Sequence, residues 1–273
     1  MTDRAAIETA LKALGAAPDD GLDIAEAALL LSALDKPGLD LAPYRRHLAD
    51  IAAALSRIEA DTEVAPRAMA LAAVLSVEFG YRGDTESYDD PQNADLVRVI
   101  DRRMGLPVSL GILYIFAARA QLWPVAGVDF PGHFLIRLEG EDGALILDPF
   151  HQGRIAAPPE MNDLLRRVSE TELRPEHVRS MTGREVLLRL QNNIKARAWR
   201  AGDMERTAET LRRMLLVAPN FAPAWRELGV VEGQLGRIRQ AMAATERFLM
   251  LAGDEAASLE AEAFLRHIRL QLN

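Results

Sequence analysis

The pattern of apolar and polar positions divides the chain into a helical beginning, a short β-rich middle and a helical end. Apolar residues recur every three or four positions between residues 44 and 58, which predicts an amphipathic helix. Another helix is predicted to begin at Asp23, whose carboxylate caps backbone amides while Glu26 reaches back. A third is predicted over residues 66–79, where Ala, Met and Leu dominate. The first ninety residues therefore form a helical lobe.

The middle of the chain predicts one buried helix and a small antiparallel sheet. A short helix over residues 93–104 ends at Gly105, where a left-handed residue is sterically cheap. The segment 109–122 has few charges and is apolar nearly all round, as expected of a helix in the centre of a domain. Three strand-like runs rich in Val, Ile, Leu and Phe follow, at residues 125–130, 133–138 and 144–150.

The turn between the last two runs sets which side chains meet. If the hairpin closes through residues 140–143, Glu139 lies opposite Ala144 and His133 stands diagonal to Asp148 on the same face. The carboxylate then orients the imidazole. A turn of odd length without a bulge would place the two side chains on opposite faces.

Ser109 supplies the third member of a candidate catalytic set. It opens the central helix, where backbone amides and the helix dipole favour a developing negative charge. With His133 as base and Asp148 holding its ring, the three residues form a Ser-His-Asp arrangement. Three alternatives stay open. In the first, Ser109 is only a helix N-cap. In the second, His133 and Asp148 are a buried polar pair that satisfy each other's hydrogen bonds. In the third, these two residues and His151 form a metal site, although a further ligand at suitable spacing is missing.

The last third of the chain contains a repeat. Residues 201–219 and 235–252 match at an offset of 33 to 34 positions, the period of helical hairpin arrays. This segment resembles tetratricopeptide repeats, because Ala224-Trp225, Leu228-Gly229 and Gly236 fall where that motif uses an aromatic, a small contact residue and a turn glycine. About two and a half repeats fit, and such arrays bind protein or peptide partners on their concave face. The tryptophans of this part are interpreted as packing residues, with a peptide-binding shelf as the alternative.

These patterns predict three domains. They are a helical lobe at residues 1–92, a core at 93–179 and helical repeats at 180–273. The polar stretch up to Arg179 is typical of a domain linker. The loop at 80–92 is polar and aperiodic, and its role is left open.

Composition and charge exclude several classes of protein. The chain has 273 residues, 49% of them hydrophobic, which is too apolar for a disordered protein. A formal net charge of -8 opposes nucleic-acid binding. The sequence contains no cysteine, and we find in it neither a signal peptide nor a membrane span. We therefore predict a cytoplasmic protein that uses neither a cofactor nor a metal.

One family resemblance covers nearly the whole chain. Gly105 to Ser109 before a buried helix, residues 119–124 after it, Gly132-His133-Phe134 and Leu147-Asp148-Pro149 resemble the transglutaminase-like core. Together with the terminal repeats they resemble the bacterial transglutaminase-like, tetratricopeptide-repeat family labelled as invasion-gene regulators. The resemblance implies an α+β, mostly helical fold with a papain-like core, in which a central helix packs on a small antiparallel sheet.

The resemblance fails at the nucleophile. Active members use a cysteine at the helix start, and Ser109 occupies the equivalent position in a chain without cysteine. A serine hydroxyl has a far higher pKa than a thiol. Serine in place of cysteine therefore removes most of the anionic nucleophile that makes such sites reactive. The leading hypothesis is a pseudoenzyme that binds or regulates a protein partner through its repeats. The alternatives are a serine-dependent hydrolase or acyl-transfer enzyme using Ser109, His133 and Asp148, and a pure adaptor.

Overall fold

The computed structural model describes residues 3–60, 62–166, 173–253 and 255–269. The chain forms two compact units. Unit 1 comprises the described parts of Met1–Ala10 and Ala17–Leu190, and unit 2 those of Leu11–Ala16 and Gln191–Asn273. No helix in the described ranges is both long and apolar enough to cross a membrane.

Unit 1 is built mainly from helices. They are α1 Arg4–Ala16, whose second half belongs to unit 2, α2 Ile24–Ala33, α3 Ala42–Ser56, α4 Val64–Ala72, α5 Leu96–Arg102, α6 Pro107–Ala120, α7 Pro158–Arg166 and the first part of α8 Gly183–Arg200. A π-helical turn, Ala73–Glu78, continues α4, and short 3₁₀ turns lie at Asp19–Gly21, Pro91–Ala94 and Pro175–Val178. The predicted mostly helical α+β fold is confirmed.

The β-structure of unit 1 is a five-stranded antiparallel sheet and a small parallel pair. The strands of the sheet, in spatial order, are β6 Arg154–Ile155, β5 Gly143–Asp148, β4 Leu135–Gly140, β3 Val125–Val128 and β7 Ser180–Met181. The separate pair consists of β1 Arg82–Gly83 and β2 Met104–Gly105. The hairpin has the predicted register, because Glu139 pairs with Ala144 and Gly140 with Gly143.

Helix α6 forms the centre of unit 1. Its residues from Pro107 to Ile115 are all buried, as its nearly unbroken apolar sequence predicts. Gly111 lets this helix approach the sheet closely, since a Cβ atom there would lie 2.3 Å from the ring of Phe134. The side chain of Phe134 is itself only 2% exposed.

Two predicted helix ends differ from the structure. Arg103, with φ 60°, is the left-handed residue that ends α5, whereas Gly105 lies in β2. Arg103 can occupy this strained conformation because its guanidinium lies over the Tyr81 ring and hydrogen-bonds its hydroxyl. At α2, Asp23 caps the amides of Ala25 and Glu26 as predicted, but the Glu26 carboxylate pairs with Arg45 instead of reaching back.

Unit 2 is a helical repeat array. It contains the end of α8, then α9 Met204–Val217, α10 Ala222–Gln234, α11 Ile238–Leu251 and α12 Glu255–Arg269. The turns at Gly202 and Gly236 have φ angles of 73° and 70°, so positions 34 residues apart in the sequence are equivalent in conformation. Gly229 is a small contact residue, because a Cβ atom there would lie 2.5 Å from Thr245 Oγ1.

The predicted three-domain division stays a prediction. Part of the predicted linker, residues 169–172, lies outside the described residues. The remainder of the linker contains the 3₁₀ turn Pro175–Val178 and runs into β7.

Candidate functional site

His133, two residues before β4, meets Asp148 at the end of β5, as the register of the hairpin predicts. His133 Nε2 lies 3.0 Å from Asp148 Oδ2. Gly132, with φ 72°, supplies the turn immediately before His133, and the His133 amide donates to the Phe130 carbonyl. The two side chains are 11% and 4% exposed, so the pair is well shielded from solvent.

His151 joins this pair from the turn after β5. Its Nδ1 lies 2.7 Å from the same oxygen, Asp148 Oδ2. The turn places it there because Gln152 and Gly153 both have positive φ angles, of 61° and 75°. Asp148 and His151 are three residues apart, a spacing that could have identified the contact from the sequence. The structure therefore brings together the three residues that the sequence offered as a metal-site alternative, and among the described residues no further His, Cys, Asp or Glu joins them.

The Asp148 carboxylate is held by four donors. Oδ2 faces both histidines, while Oδ1 accepts the backbone amides of Phe150, at 3.0 Å, and His151, at 3.3 Å. Burial by itself raises the pKa of Asp148, but the hydrogen bonds and charges of His133 and His151 outweigh burial and hold this pKa below its usual value. The carboxylate is therefore the ionised centre of the cluster.

Ser109 is fully buried inside α6, and its hydroxyl is engaged by the backbone. Its Oγ lies 2.7 Å from the Asn93 carbonyl oxygen and 3.0 Å from that of Leu106. The N-cap residue of α6 is Leu106, so the interpretation of Ser109 as an N-cap is wrong. Ser109 is a donor within the first turn, and among the described residues no hydrogen bond joins it to His133.

Helical geometry explains where Ser109 points. Gly111 faces Phe134, and Ser109 lies two residues earlier, about 200° around the helix axis. Val108 and Tyr114 are three residues before and after Gly111, so these share its face. The structure thus brings His133 and Asp148 together and directs Ser109 towards the backbone of Asn93 and Leu106.

Tyr114 is a site residue that the sequence analysis missed. Its hydroxyl lies 2.8 Å from Ser76 Oγ and beside Gly153, where a Cβ atom would approach the Tyr114 oxygen to 2.8 Å. Burial raises the pKa of Tyr114 to about 12, and the negative charge of Asp148 adds to the increase. Tyr114 therefore stays a neutral phenol at physiological pH. The sequence could have identified Tyr114 by its position three residues after Gly111 on the buried helix, which places both residues on one helix face.

The polar segment 80–92, whose role the sequence left open, lies against this cluster. The Gly83 amide donates to the Phe150 carbonyl at 3.0 Å, and the Tyr88 and Phe150 rings make an edge contact with centroids 5.8 Å apart. Phe150 in turn contacts the ring of His133 edge-on. Buried Asp84 anchors the segment through an ion pair with Arg102 at 2.8 Å.

Unit 2 carries a separate surface feature, which we call the repeat groove. It is a cavity of about 580 Å³ between residues of α8 and α10, lined by Asn192, Lys195, Trp199, Arg226, Glu227 and Val230, among others. The side chains of Trp199 and Val230 are 47% and 41% exposed. Trp225, in contrast, donates its Nε1 hydrogen to the Pro219 carbonyl at 2.8 Å. The interpretation of both tryptophans as packing residues therefore fits Trp225 and not Trp199.

Comparison with known protein families assigns both parts of the chain. Residues 42–192 match the model of the transglutaminase-like superfamily, and residues 194–266 match a tetratricopeptide-repeat model. The first match includes the hairpin, α6 and the His133–Asp148–His151 cluster. The second includes most of the repeat groove.

Relatives of similar length are found in bacteria. A UPF0162 protein of Xylella fastidiosa strain 9a5c is 32% identical over 247 residues, which cover 87% of each chain. A UPF0162 protein of Pseudomonas aeruginosa is 28% identical over 237 residues and 86% of each chain. Human F-box only protein 21 is 33% identical over 89 residues, which make up 30% of this chain and 14% of that protein.

Proposed function

The chain belongs to the transglutaminase-like superfamily, and from that premise we propose that it is a cytoplasmic protein-binding or regulatory factor that retains the fold of these enzymes without their thiol chemistry. The sequence has no cysteine, so the usual nucleophile of the superfamily is absent. The Ser109 hydroxyl, at the equivalent position, donates towards backbone carbonyl oxygens. Partner binding is assigned to the tetratricopeptide repeats.

The repeat groove is the observation that carries this proposal. A half-exposed tryptophan beside apolar surface is the type of residue that anchors protein interfaces. Lys195 and Glu227, which line the groove, pair with each other, and Arg226 of the same lining pairs with Glu260. A partner can therefore make apolar contact with Trp199 and Val230 without having to neutralise these three charges.

Photo-crosslinking from the groove tests this role. A benzoylphenylalanine residue replacing Val230 is expected to give discrete protein adducts in cells of the source organism. These adducts should decrease at least about tenfold when Trp199→Ala is added, because loss of an aromatic anchor costs about 2 kcal/mol of binding free energy. The measurement is the intensity of the adducts on an immunoblot.

Val77 provides the matched control position. It lies in unit 1 and is 82% exposed, so a crosslinker there reacts with proteins that meet the exposed surface by chance and not with proteins bound in the groove. Adducts that form equally from positions 77 and 230, or that persist unchanged with Trp199→Ala, would show that the groove does not bind the partner.

A serine-dependent hydrolase or acyl-transfer enzyme is the second candidate function. The 3.0 Å contact of His133 with Asp148 supports it, because such a pair acts as a general base elsewhere. The burial of Ser109 and its two carbonyl neighbours oppose it. In this candidate the catalytic residues are Ser109, His133 and Asp148.

Labelling with a fluorophosphonate probe separates the two candidates. We expect no mass increase on Ser109, since the probe reacts with an accessible hydroxyl that a neighbouring base deprotonates. Peptide mass spectrometry measures the mass of the peptide that contains Ser109, and trypsin labelled in a parallel sample is the positive control. Modification of Ser109 that disappears in His133→Ala would establish the enzyme instead.

A further inference from the structure

The His133, Asp148 and His151 side chains form a compact set of potential metal ligands. Among the described residues they are the one group of three or more His, Cys, Asp or Glu whose candidate ligand atoms all lie within 4.8 Å of one another. The resemblance to transglutaminase-like proteins involves only the first two of these residues. The third, His151, is therefore a feature of this site that an acid-base pair does not require.

The distances suit direct coordination. A tetrahedral ion with ligand atoms about 2.0–2.2 Å away separates neighbouring ligand atoms by about 3.3–3.6 Å, so side chains at hydrogen-bond distance move apart by less than about 1 Å to admit it. Asp148 Oδ2 is 3.0 Å from His133 Nε2 and 2.7 Å from His151 Nδ1. Two imidazole nitrogens and one carboxylate oxygen are a donor set for first-row transition metals, whereas calcium and magnesium prefer oxygen ligands alone.

The surrounding structure prepares the cluster for a cation. Backbone amides of Phe150 and His151 hold Asp148 Oδ1, which fixes the carboxylate and leaves Oδ2 for the metal. The Asp148 side chain is 4% exposed and that of His151 47%, so the carboxylate is shielded while one ligand opens to solvent. A cation can enter from that side, and water can fill the remaining coordination positions.

We infer that His133 Nε2, Asp148 Oδ2 and His151 Nδ1 bind one divalent transition-metal cation of the zinc type. Each coordinating nitrogen then gives up the proton that it donates to Asp148: a neutral imidazole carries the proton on its other ring nitrogen instead, and an imidazolium releases it to water as the metal binds. The cation replaces two shared protons as the partner of the buried carboxylate. This inference goes beyond the proposed function and does not depend on it, because the residues of the repeat groove take no part.

Cobalt titration of the untagged, full-length protein after removal of metals by a chelator tests the site. Co²⁺ in a nitrogen and oxygen ligand set gives visible ligand-field bands, so we expect a band that saturates at one equivalent and that Zn²⁺ abolishes. His151→Ala should weaken the binding of Co²⁺ at least about 100-fold, since even residues behind metal ligands contribute 10- to 100-fold. Asp148→Asn should act in the same direction.

His177→Ala is the matched control, because His177 is a histidine of unit 1 outside the cluster. It should leave cobalt affinity unchanged. His151 is half exposed, so its replacement tests the site in a folded protein even where Asp148→Asn unfolds, and circular dichroism verifies this. Absence of a saturating band, or equal affinities of the wild type and His151→Ala, would overturn the inference.

Discussion

Replacing Gly111 by valine is expected to lower the free energy of unfolding by about 3 kcal/mol. A Cβ atom at this position would lie 2.3 Å from Cε1 and 2.8 Å from Cδ1 of Phe134, closer than carbon atoms pack. The ring cannot retreat, because it is 2% exposed and also lies against Gly127, where a Cβ atom would meet it at 2.9 Å. Overpacking of this kind costs about 1–3 kcal/mol or more, which exceeds the gain of under about 1 kcal/mol in helix propensity. Urea unfolding measures the difference.

Two further variants test the cause. Gly21→Val places a side chain where no atom lies within 4 Å, so its effect should stay within about 0.5 kcal/mol. Phe134→Leu removes the obstructing ring, and the double variant Gly111→Val/Phe134→Leu should be more stable than the sum of the two single effects. Strict additivity, or wild-type stability of Gly111→Val, would contradict the close approach of α6 to the sheet.

The hairpin shows which part of the site the sequence could predict. Glycines at 140 and 143 bracket a short turn, and Gly143 adopts a φ of 135° that other residues rarely reach. Turn length sets register, and register sets which side chains share a face, so the contact between His133 and Asp148 followed from counting residues.

The orientation of Ser109 could not be predicted by counting. It depends on where the helix begins and how the helix is rotated about its axis, and both are set by tertiary packing. Leu106 is the N-cap, and the close contact of Gly111 with Phe134 fixes the rotation. The sequence marks Ser109 as the residue at the helix start without showing that the Asn93 carbonyl lies within reach of its hydroxyl.

Unit 2 shows the same division between local and tertiary information. The repeat period was predictable because Gly202 and Gly236 are turn residues with the same left-handed conformation. The different environments of the two tryptophans were not. Trp225 has a carbonyl acceptor six residues earlier in the chain, whereas Trp199 lines the groove formed with residues of α10. That difference arises from the packing of helices distant in sequence.

Acidification from pH 6.5 to pH 4.5 is expected to cost the wild type about 1 kcal/mol of stability through His47. Burial, and then the charge of Arg103, lower the pKa of His47 from 6.5 to about 4. Between pH 6.5 and 4 the unfolded chain therefore binds a proton on His47 that the folded protein does not bind. The contribution of neutral His47 to the free energy of unfolding is therefore fully present above pH 6.5 and is lost as the pH falls towards 4. The full shift corresponds to roughly 3 kcal/mol, of which roughly 2 kcal/mol falls between pH 6.5 and 4.5, and solvent exposure of the half-buried ring reduces that part to about 1 kcal/mol.

The structure around His47 explains why protonation is unfavourable and supplies the control. His47 Nε2 lies 2.7 Å from the Tyr81 hydroxyl and also contacts the Arg103 guanidinium, so a proton on this nitrogen would place two cations together. Asp50 offsets only part of this repulsion. In His47→Gln the unfolding free energy, measured by urea at each pH, should fall less between pH 6.5 and 4.5, while exposed His267→Gln should follow the wild type. Parallel curves for His47→Gln and the wild type would show that another group drives acid destabilisation.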